Sequence, residues 1–592
     1  MTEVGALENT FWYWVNPLSW FPKWMFVNGF TYLSLICGFS LVFPRYSISI
    51  VILAVAFAVL AVVNHFMFRM HSSLFALVDF KNIGTAVNVI GSYHFRIDKY
   101  IVMIAVLLLI LFGISAFLFR RKELDYTHDI RHIALNSIMC VVPMYVIYFG
   151  PSPIMVDKTN TGAWHTDRLY ADCGYVPVII ENAKKGLGSV IRPDWYDHSA
   201  LMEIPGVDNA DTVSAEEYPD VLIILNETWY DPADYIDFET DIDYMDNYRS
   251  LDNAILGHAV VPGFAGGTNN SEYEYLTSNS MSLLTDSTPF QTMSMIGAHS
   301  IVDYMEALGY ETIGEHPTLS SNYNRGASWF SLGFDHCSFE EDFKPMEYYR
   351  HYCSDEYAFR AFLDMMEDMD PERPHFGYLL TLQNHGDWAD LPEEDIYISI
   401  KTNDLYDEAT THRLREFISC IKLTDESIVY LTDRLNKLYA ETGRKVIVCM
   451  VGDHAPTIIY DLECRESPEA QILAAHEVPY FIWANYPFAA DAVKNTNTVD
   501  LCNLVPIVLK TAGIPLSAYY SHIIDMMNAG IAVHTQIFTD LPFGSWYGAD
   551  GMIHEPGDDS LSNMIRVYYS LEYNNAANKD RIDDLFFAQI AP

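Results

Sequence analysis

Four stretches of the chain carry no Asp, Glu, Lys or Arg: Trp24–Phe43, Tyr46–Phe68, Tyr100–Phe119 and Ile133–Gly150. Each is close to the ~20 apolar residues that a helix needs to cross a bilayer. They predict a transmembrane domain over residues 1–150 with about four spans, at 24–43, 46–68, 100–119 and 133–150. One such run fits a buried core helix or a signal peptide; four within 150 residues fit neither. The pattern then changes. Residues 151–218 are mixed and rich in Pro and Gly, and read as a linker with a helix near Val176–Lys185. From 219 to 592, short apolar runs alternate with helical periodicity. VLIIL (221–225), FGYLLTL (376–382), VIVCMV (446–451) and VPYFIWA (478–484) predict buried strands. Ile301–Leu308, Tyr357–Met366 and Thr411–Tyr439 predict helices. The alternation predicts an α/β domain, mainly a parallel sheet flanked by helices.

Charge divides the chain at the same place. Residues 1–150 hold 10 Lys/Arg and 7 Asp/Glu, a net of +3; residues 151–592 hold 25 and 71, a net of −46. The acidic part argues against nucleic-acid binding, which requires a basic surface. RRKELDYTHDIR (Arg120–Arg131), between the last two predicted spans, carries four basic residues and is placed in the cytoplasm by the positive-inside rule. Residues 151–592 then face outward, as does the N-terminus, where NTFWYWVNPLSWFPKW resembles an interfacial aromatic belt. The nine cysteines show no zinc-type CxxC spacing and define no disulfide framework.

In parallel sheets ligands gather beyond the carboxyl ends of the strands. VLIIL is followed by Asn226-Glu227, FGYLLTL by Gln383-Asn384-His385, and VIVCMV by Gly452-Asp453-His454. Glu227, His385, Asp453 and His454 each have an ordinary structural reading alone; their shared position at the predicted ligand edge favours a joint one. Carboxylates and imidazole without thiolate suit Mn2+, Mg2+ or Zn2+. Gly266-Gly267 precede Thr268, which opens what reads as an amphipathic helix. The glycines would form a tight turn and admit a bulky anion. A helix start and a nearby metal would both favour ionisation of the Thr268 hydroxyl. The loop after YETIG (310–314) offers His316 and Arg325, and arginine suits bidentate phosphate contact.

Five blocks together resemble a known family: DVLIILNETW, FAGGTNNSEYEYLTSNSMSLL, HPTLSSNYNR with LGFD, LLTLQNHGDW and VIVCMVGDHAP. Their order and spacing are similar to those of the lipoteichoic acid synthase-like phosphoglycerol transferases of the alkaline phosphatase/sulfatase superfamily, from about residue 24 to the C-terminus. The resemblance implies that Glu227, Thr268, Asp453 and His454 bind one divalent metal, usually Mn2+. It implies that Thr268 is the nucleophile toward a phosphatidylglycerol-type lipid donor, and that an acceptor hydroxyl then takes the glycerophosphoryl group. Arg325 and His385 match positions that contact phosphate and glycerol, and His316 and Tyr323 lie among the substrate-binding positions. The implied acceptor is a glycolipid or a polyglycerophosphate chain. The implied setting is the cell membrane of a Gram-positive bacterium, multi-pass, with an extracellular catalytic domain at 219–592 that serves lipoteichoic acid or related cell-wall synthesis.

Four features depart from that pattern, the strongly acidic outer domain being one of them. Tyr323 stands where the family usually has Trp, Asn269-Asn270 follow Thr268, and the first of the usual five spans is not seen. No Cys/Ser-x-Pro-x-Arg stretch is present, which disfavours sulfate ester hydrolysis. A phosphoethanolamine transferase remains an alternative with the same nucleophile. An inactive membrane receptor or scaffold is a second alternative, disfavoured because all four metal positions are filled.

Overall fold

The computed structural model describes residues 22–43, 45–71, 99–121, 129–149 and 190–588, apart from 208, 210–211, 285–287, 344, 387, 389–390, 402–405, 463–467, 536, 538–540 and 578–579. The chain divides into two compact units. The first is Met1–Gly188 with Phe290–Ser294 and Ser320–Ser328; the second is Ser189–Pro289, Met295–Leu319 and Trp329–Pro592. The helix expected near Val176–Lys185 lies outside the described residues.

In the first unit, helices α1 (Pro22–Val42), α2 (Tyr46–His71), α3 (Lys99–Arg120) and α4 (Ile130–Phe149) overlap the four apolar runs. Among the described residues, two windows are long and apolar enough to cross a membrane, Tyr46–Val63 and Ile101–Arg120. Large apolar side chains stay exposed along them, among them Val59, Leu109, Ile110 and Phe117. A core helix of a soluble protein would bury such groups. Where the helices touch, small polar side chains join them: Tyr46 Oη donates to Asn136 Oδ1 at 2.7 Å and Ser115 Oγ to the Ser47 carbonyl at 2.8 Å. Such bonds hold helices together where hydrophobic burial supplies no preference between helix and lipid.

The second unit is built on an eight-stranded sheet. Its strands are β1 (Asp220–Asn226), β2 (Ala254–Val260), β3 (Glu311–His316), β4 (His336–Phe339), β5 (His375–Leu380), β6 (Val446–Gly452), β7 (Glu477–Ala484) and β8 (Thr498–Asp500). Their spatial order is β8-β2-β7-β6-β1-β5-β3-β4. All run in one direction except β7, which is antiparallel to both β2 and β6. The fold is thus a mainly parallel, mixed sheet flanked by helices. β1, β5 and β6 form its centre and are buried at every position. Continuous apolar runs on those strands follow from cover on both faces.

Helices α5 (Thr268–Thr277), α6 (Ile301–Ala307), α7 (Asp355–Glu367) and α8 (Glu408–Thr442) belong to this unit. α8 is fixed at both ends: Asp407 caps its start by accepting from Thr410 N, and Gly443 ends it at φ 76°. Its apolar stripe, including Leu414, Phe417, Ile421 and Ile428, is buried. The unit reaches back into the segment read as linker, since Ile191 N donates to the Leu283 carbonyl and Trp195 Nε1 to the Arg566 carbonyl.

Gly452 ends β6 where the chain must pass close to the loop after β1. A Cβ there would lie 2.1 Å from the Trp229 carbonyl oxygen. Backbone cannot yield as a flexible side chain would. Gly452→Ala is therefore expected to destabilise the second unit by about 3 kcal/mol, read as a lowered denaturant midpoint of the purified protein. An unchanged midpoint would contradict the close approach.

Candidate active site

Three chain segments meet at the carboxyl edge of the sheet. Glu227 follows β1, Asp453 and His454 follow β6, and Thr268 is the first residue of α5. All four are buried, at 3%, 0%, 5% and 3% exposure. Gly267 precedes Thr268 at φ 99°, a left-handed conformation that glycine adopts without strain. No side chain caps α5, so its first N–H groups add partial positive charge beside the Thr268 hydroxyl. The ordering Gly-Gly-Thr thus turns the chain sharply and sets the hydroxyl at a helix start.

One ligand atom from each of Glu227, Asp453 and His454 lies within 4.8 Å of the others. His454 Nε2 is 3.4 Å from Thr268 Oγ1, 3.2 Å from Asp453 Oδ2 and 3.6 Å from Glu227 Oε1. His454 Nδ1 lies 2.9 Å from the Ala455 carbonyl oxygen, which can only accept, so Nδ1 carries the proton in the neutral ring. The Nε2 lone pair then faces carboxylate lone pairs. Asp453 Oδ2 is buried and has no hydrogen bond of good geometry among the described residues. Lone pairs from three residues converging on one small space fit a cation between them. Oxygen and imidazole donors suit Mg2+, Mn2+ or Zn2+ without choosing among them.

The remaining hydrogen bonds orient these groups. Thr228 N donates to Asp453 Oδ1 at 2.6 Å, and Thr228 Oγ1 donates to Glu227 Oε1 at 2.7 Å. Thr228 does so from a left-handed backbone at φ 49°. Ser271 Oγ donates to the Asp453 carbonyl, and Glu227 N donates to Thr381 Oγ1. Beneath them, Asn226, Asp355, Asn384 and Thr424 form a buried network: Asn226 Nδ2 and Thr424 Oγ1 both donate to Asp355 Oδ2, and Asn384 Nδ2 donates to Asn226 Oδ1. It ties the ends of β1 and β5 to α7 and α8. Sequence reading missed Thr228, Ser271 and Thr381; each is a common polar residue, and only its adjacency to a strand end or to Thr268 marks it.

The other candidate residues fall as follows. His316 is the last residue of β3 rather than part of a loop, because the strand continues two residues past YETIG. Its Nδ1 lies 2.8 Å from the Leu380 carbonyl. His385 follows β5, with Nδ1 2.8 Å from the Gly386 carbonyl. Tyr323 and Arg325 belong to the first unit, with the Arg325 guanidinium carbon 5.1 Å from the Tyr323 ring centroid. Arg325 opens the helix Arg325–Leu332 instead of lying in a loop, and its residue is 3% exposed. α5 is not amphipathic: nine of its ten residues are buried. Some of its polar groups are paired inside, as where Trp329 Nε1 donates to Glu272 Oε1 and Tyr275 Oη to the Cys449 carbonyl, while the buried Asn269 amide has no hydrogen-bond partner among the described residues.

Burial, reinforced by the Glu227 charge, pushes the Asp453 carboxyl up to about 6. Burial opposes charging of His454, but the Asp453 and Glu227 carboxylates outweigh it and raise that imidazole above its ordinary value. A carboxyl raised by folding favours the fold while protonated, so this contribution is lost as pH climbs from 3.8 through about 6. The raised imidazole likewise stabilises the fold at low pH and loses that effect as pH rises. A cation must displace these protons. Its affinity is therefore expected to rise by about tenfold or more between pH 5 and 7.5, measured by calorimetric titration of metal-stripped protein with Mn2+. An affinity independent of pH would contradict the assignment.

The sulfatase family model matches residues 219–514. The structure of Streptococcus pyogenes phosphoglycerol transferase GacH in complex with sn-glycerol-1-phosphate is similar at a TM-score of 0.54 and 20% identity, covering 68% of this chain and 100% of that one. Lipoteichoic acid synthase LtaP from Listeria monocytogenes is similar at 0.47 and 16% identity, over 64% and 97%. A Rhizobium meliloti (strain 1021) protein, provisionally named for cyclic beta-1,2-glucan modification, is 26% identical over 425 residues, 68% of this chain and 63% of that relative's length. The match over half the chain, on the sheet and strand-end residues just described, shows that the chain belongs to the sulfatase family, with the fold of the alkaline phosphatase superfamily.

Proposed function

We propose that this protein transfers a glycerophosphoryl group from a phosphatidylglycerol-type lipid to an acceptor hydroxyl, through an intermediate on Thr268. The observation that carries the reading is the Thr268 hydroxyl at the start of α5, 3.4 Å from His454 Nε2 and beside two buried carboxylates. Glu227, Asp453 and His454, with Thr268, would hold a divalent cation; when bound, it supplies positive charge that favours an ionised hydroxyl and a phosphate nearby. Among the described residues, two helices long and apolar enough to cross a membrane suit an enzyme whose donor is a lipid. The GacH complex with sn-glycerol-1-phosphate supports glycerophosphate as the transferred group. The Rhizobium relative's name supports a glycan hydroxyl as acceptor, beside the glycolipid and polyglycerophosphate acceptors of the resembling family.

In the first half-reaction Thr268 Oγ1 bonds to phosphorus and its proton passes to solvent. The bond from phosphorus to the diacylglycerol oxygen breaks, and that oxygen takes the electron pair and a proton from His385. In the second half-reaction the acceptor oxygen bonds to phosphorus and gives its proton to His385. The Thr268 oxygen leaves and regains a proton. In this reading Arg325 contacts the phosphate oxygens and His316 and Tyr323 contact the substrate, as the resemblance to the phosphoglycerol transferases implies.

The test incubates wild type and Thr268→Ala with fluorescent phosphatidylglycerol and, separately, fluorescent phosphatidylethanolamine. Diacylglycerol release from phosphatidylglycerol is expected from wild type, with a loss of about 10³-fold or more in the variant. Chelation of divalent metal is expected to abolish release, and added Mn2+ to restore it. Equal release by both proteins would refute the nucleophile, and release from phosphatidylethanolamine alone would replace the donor.

A further inference from the structure

A small antiparallel hairpin, Tyr348–Tyr349 paired with Tyr352–Cys353, sits against the loop that carries His385. Two of its side chains reach that loop. Tyr352 Oη lies 3.1 Å from His385 Nδ1 and donates its proton to the Gly386 carbonyl at 2.6 Å. Arg350 Nη1 donates to the His385 carbonyl at 2.9 Å. The two rings, Tyr352 and His385, are tilted against each other with centroids 5.1 Å apart.

Arg350 holds this arrangement from an unfavourable backbone. It sits in the hairpin turn at φ 57°, a conformation that a non-glycine residue adopts at some cost. Its guanidinium is held in place by Glu416 of α8, with Nε 2.8 Å from Oε1 and both side chains fully buried. Glu416 Oε2 in turn accepts from Leu391 N, further along the same loop. A strained residue kept by a buried ion pair marks a place where position matters more than local stability.

The hydrogen bonds decide the tautomer of His385. A phenol has one proton, and Tyr352 places it on the Gly386 carbonyl. Toward Nδ1 the Tyr352 oxygen therefore presents a lone pair. The Gly386 carbonyl, 2.8 Å from the same nitrogen, is also an acceptor. Two acceptors facing Nδ1 require that it carry the hydrogen. The neutral ring then has its basic lone pair on Nε2.

We propose that Tyr352 and Arg350 are positioning residues for proton transfer by His385: Tyr352 selects the Nδ1–H tautomer and the ring angle, and Arg350 fixes the loop carbonyl beneath it. This rests on the reading of His385 as the proton-transfer residue. In the first half-reaction the doubly protonated ring gives its Nε2 proton to the departing diacylglycerol oxygen and becomes the neutral Nδ1–H form; in the second its Nε2 lone pair takes the acceptor's proton and the imidazolium is restored, while Nδ1 stays protonated throughout.

Removing Arg350 would strand a buried Glu416, so the test uses Tyr352→Phe, which deletes one oxygen and keeps the ring. Wild type, Tyr352→Phe, His385→Ala and the double variant of the full chain are assayed for diacylglycerol release from fluorescent phosphatidylglycerol with acceptor present. Tyr352→Phe is expected to lower kcat by about tenfold or more while the donor KM stays within about twofold. In the His385→Ala background the same change is expected to alter kcat by less than about twofold, because the two residues act as one unit. An equal loss in both backgrounds would overturn the positioning role and leave His385 in place. An unchanged kcat in Tyr352→Phe, with His385→Ala impaired, would do the same. Wild-type turnover by His385→Ala would instead remove the role of His385 itself, and this inference with it.

Discussion

The site depends on the electrostatic cost of bringing Glu227, Asp453 and the lone-pair face of His454 together away from water. Two like charges about 4 Å apart repel by about 4 kcal/mol at the effective dielectric of a protein site, and desolvating each ion adds several kcal/mol more. The hydrogen bonds from Thr228 offset only part of this, since Asp453 Oδ2 has none of good geometry among the described residues. The raised Asp453 and His454 protonation follows from that imbalance, with protons serving as the weaker substitute for a cation. A buried cluster of this kind persists only where the surrounding fold holds it.

The sheet provides that support. β6 and β1 are neighbours in register, with Asn226 opposite Gly452, so Glu227 and Asp453 emerge side by side. The Asn226–Asp355–Thr424–Asn384 network fixes the strand ends from below. Three histidines at this edge, His316, His385 and His454, each set Nδ1 against a main-chain carbonyl. Each neutral ring thereby carries its lone pair on Nε2. One repeated local device thus sets the same neutral tautomer in three imidazoles along the sheet edge.

Much of this was legible in the chain. The central strands read clearly because burial on both faces demands unbroken apolar runs, as in VLIIL and VIVCMV. α8 read clearly because helical periodicity runs unbroken from Thr411 to Tyr439, inside the observed Glu408–Thr442. Glu227, His385, Asp453 and His454 stood out by their place after such runs. β2 did not, because Gly257 and His258 interrupt its apolar pattern, and β4 and β8 are too short to show one. α5 misled, since it is buried almost all round despite its polar residues, and periodicity cannot show that a polar side chain such as Glu272 has a buried partner. His316 and Arg325 were placed one element away from where they lie because strand and helix ends carry little sequence signal. Thr228, Tyr352 and Arg350 act through hydrogen bonds to residues far along the chain or through the backbone they adopt, which spacing does not encode.

The most direct test of the central claim is anomalous diffraction from crystals of the protein grown with Mn2+ or Zn2+. A single strong peak is expected among Glu227, Asp453 and His454 Nε2, at roughly 2.0–2.3 Å from its ligands, with Thr268 Oγ1 in the same shell. Density for those four side chains without an ion between them, or a peak bound elsewhere, would contradict it.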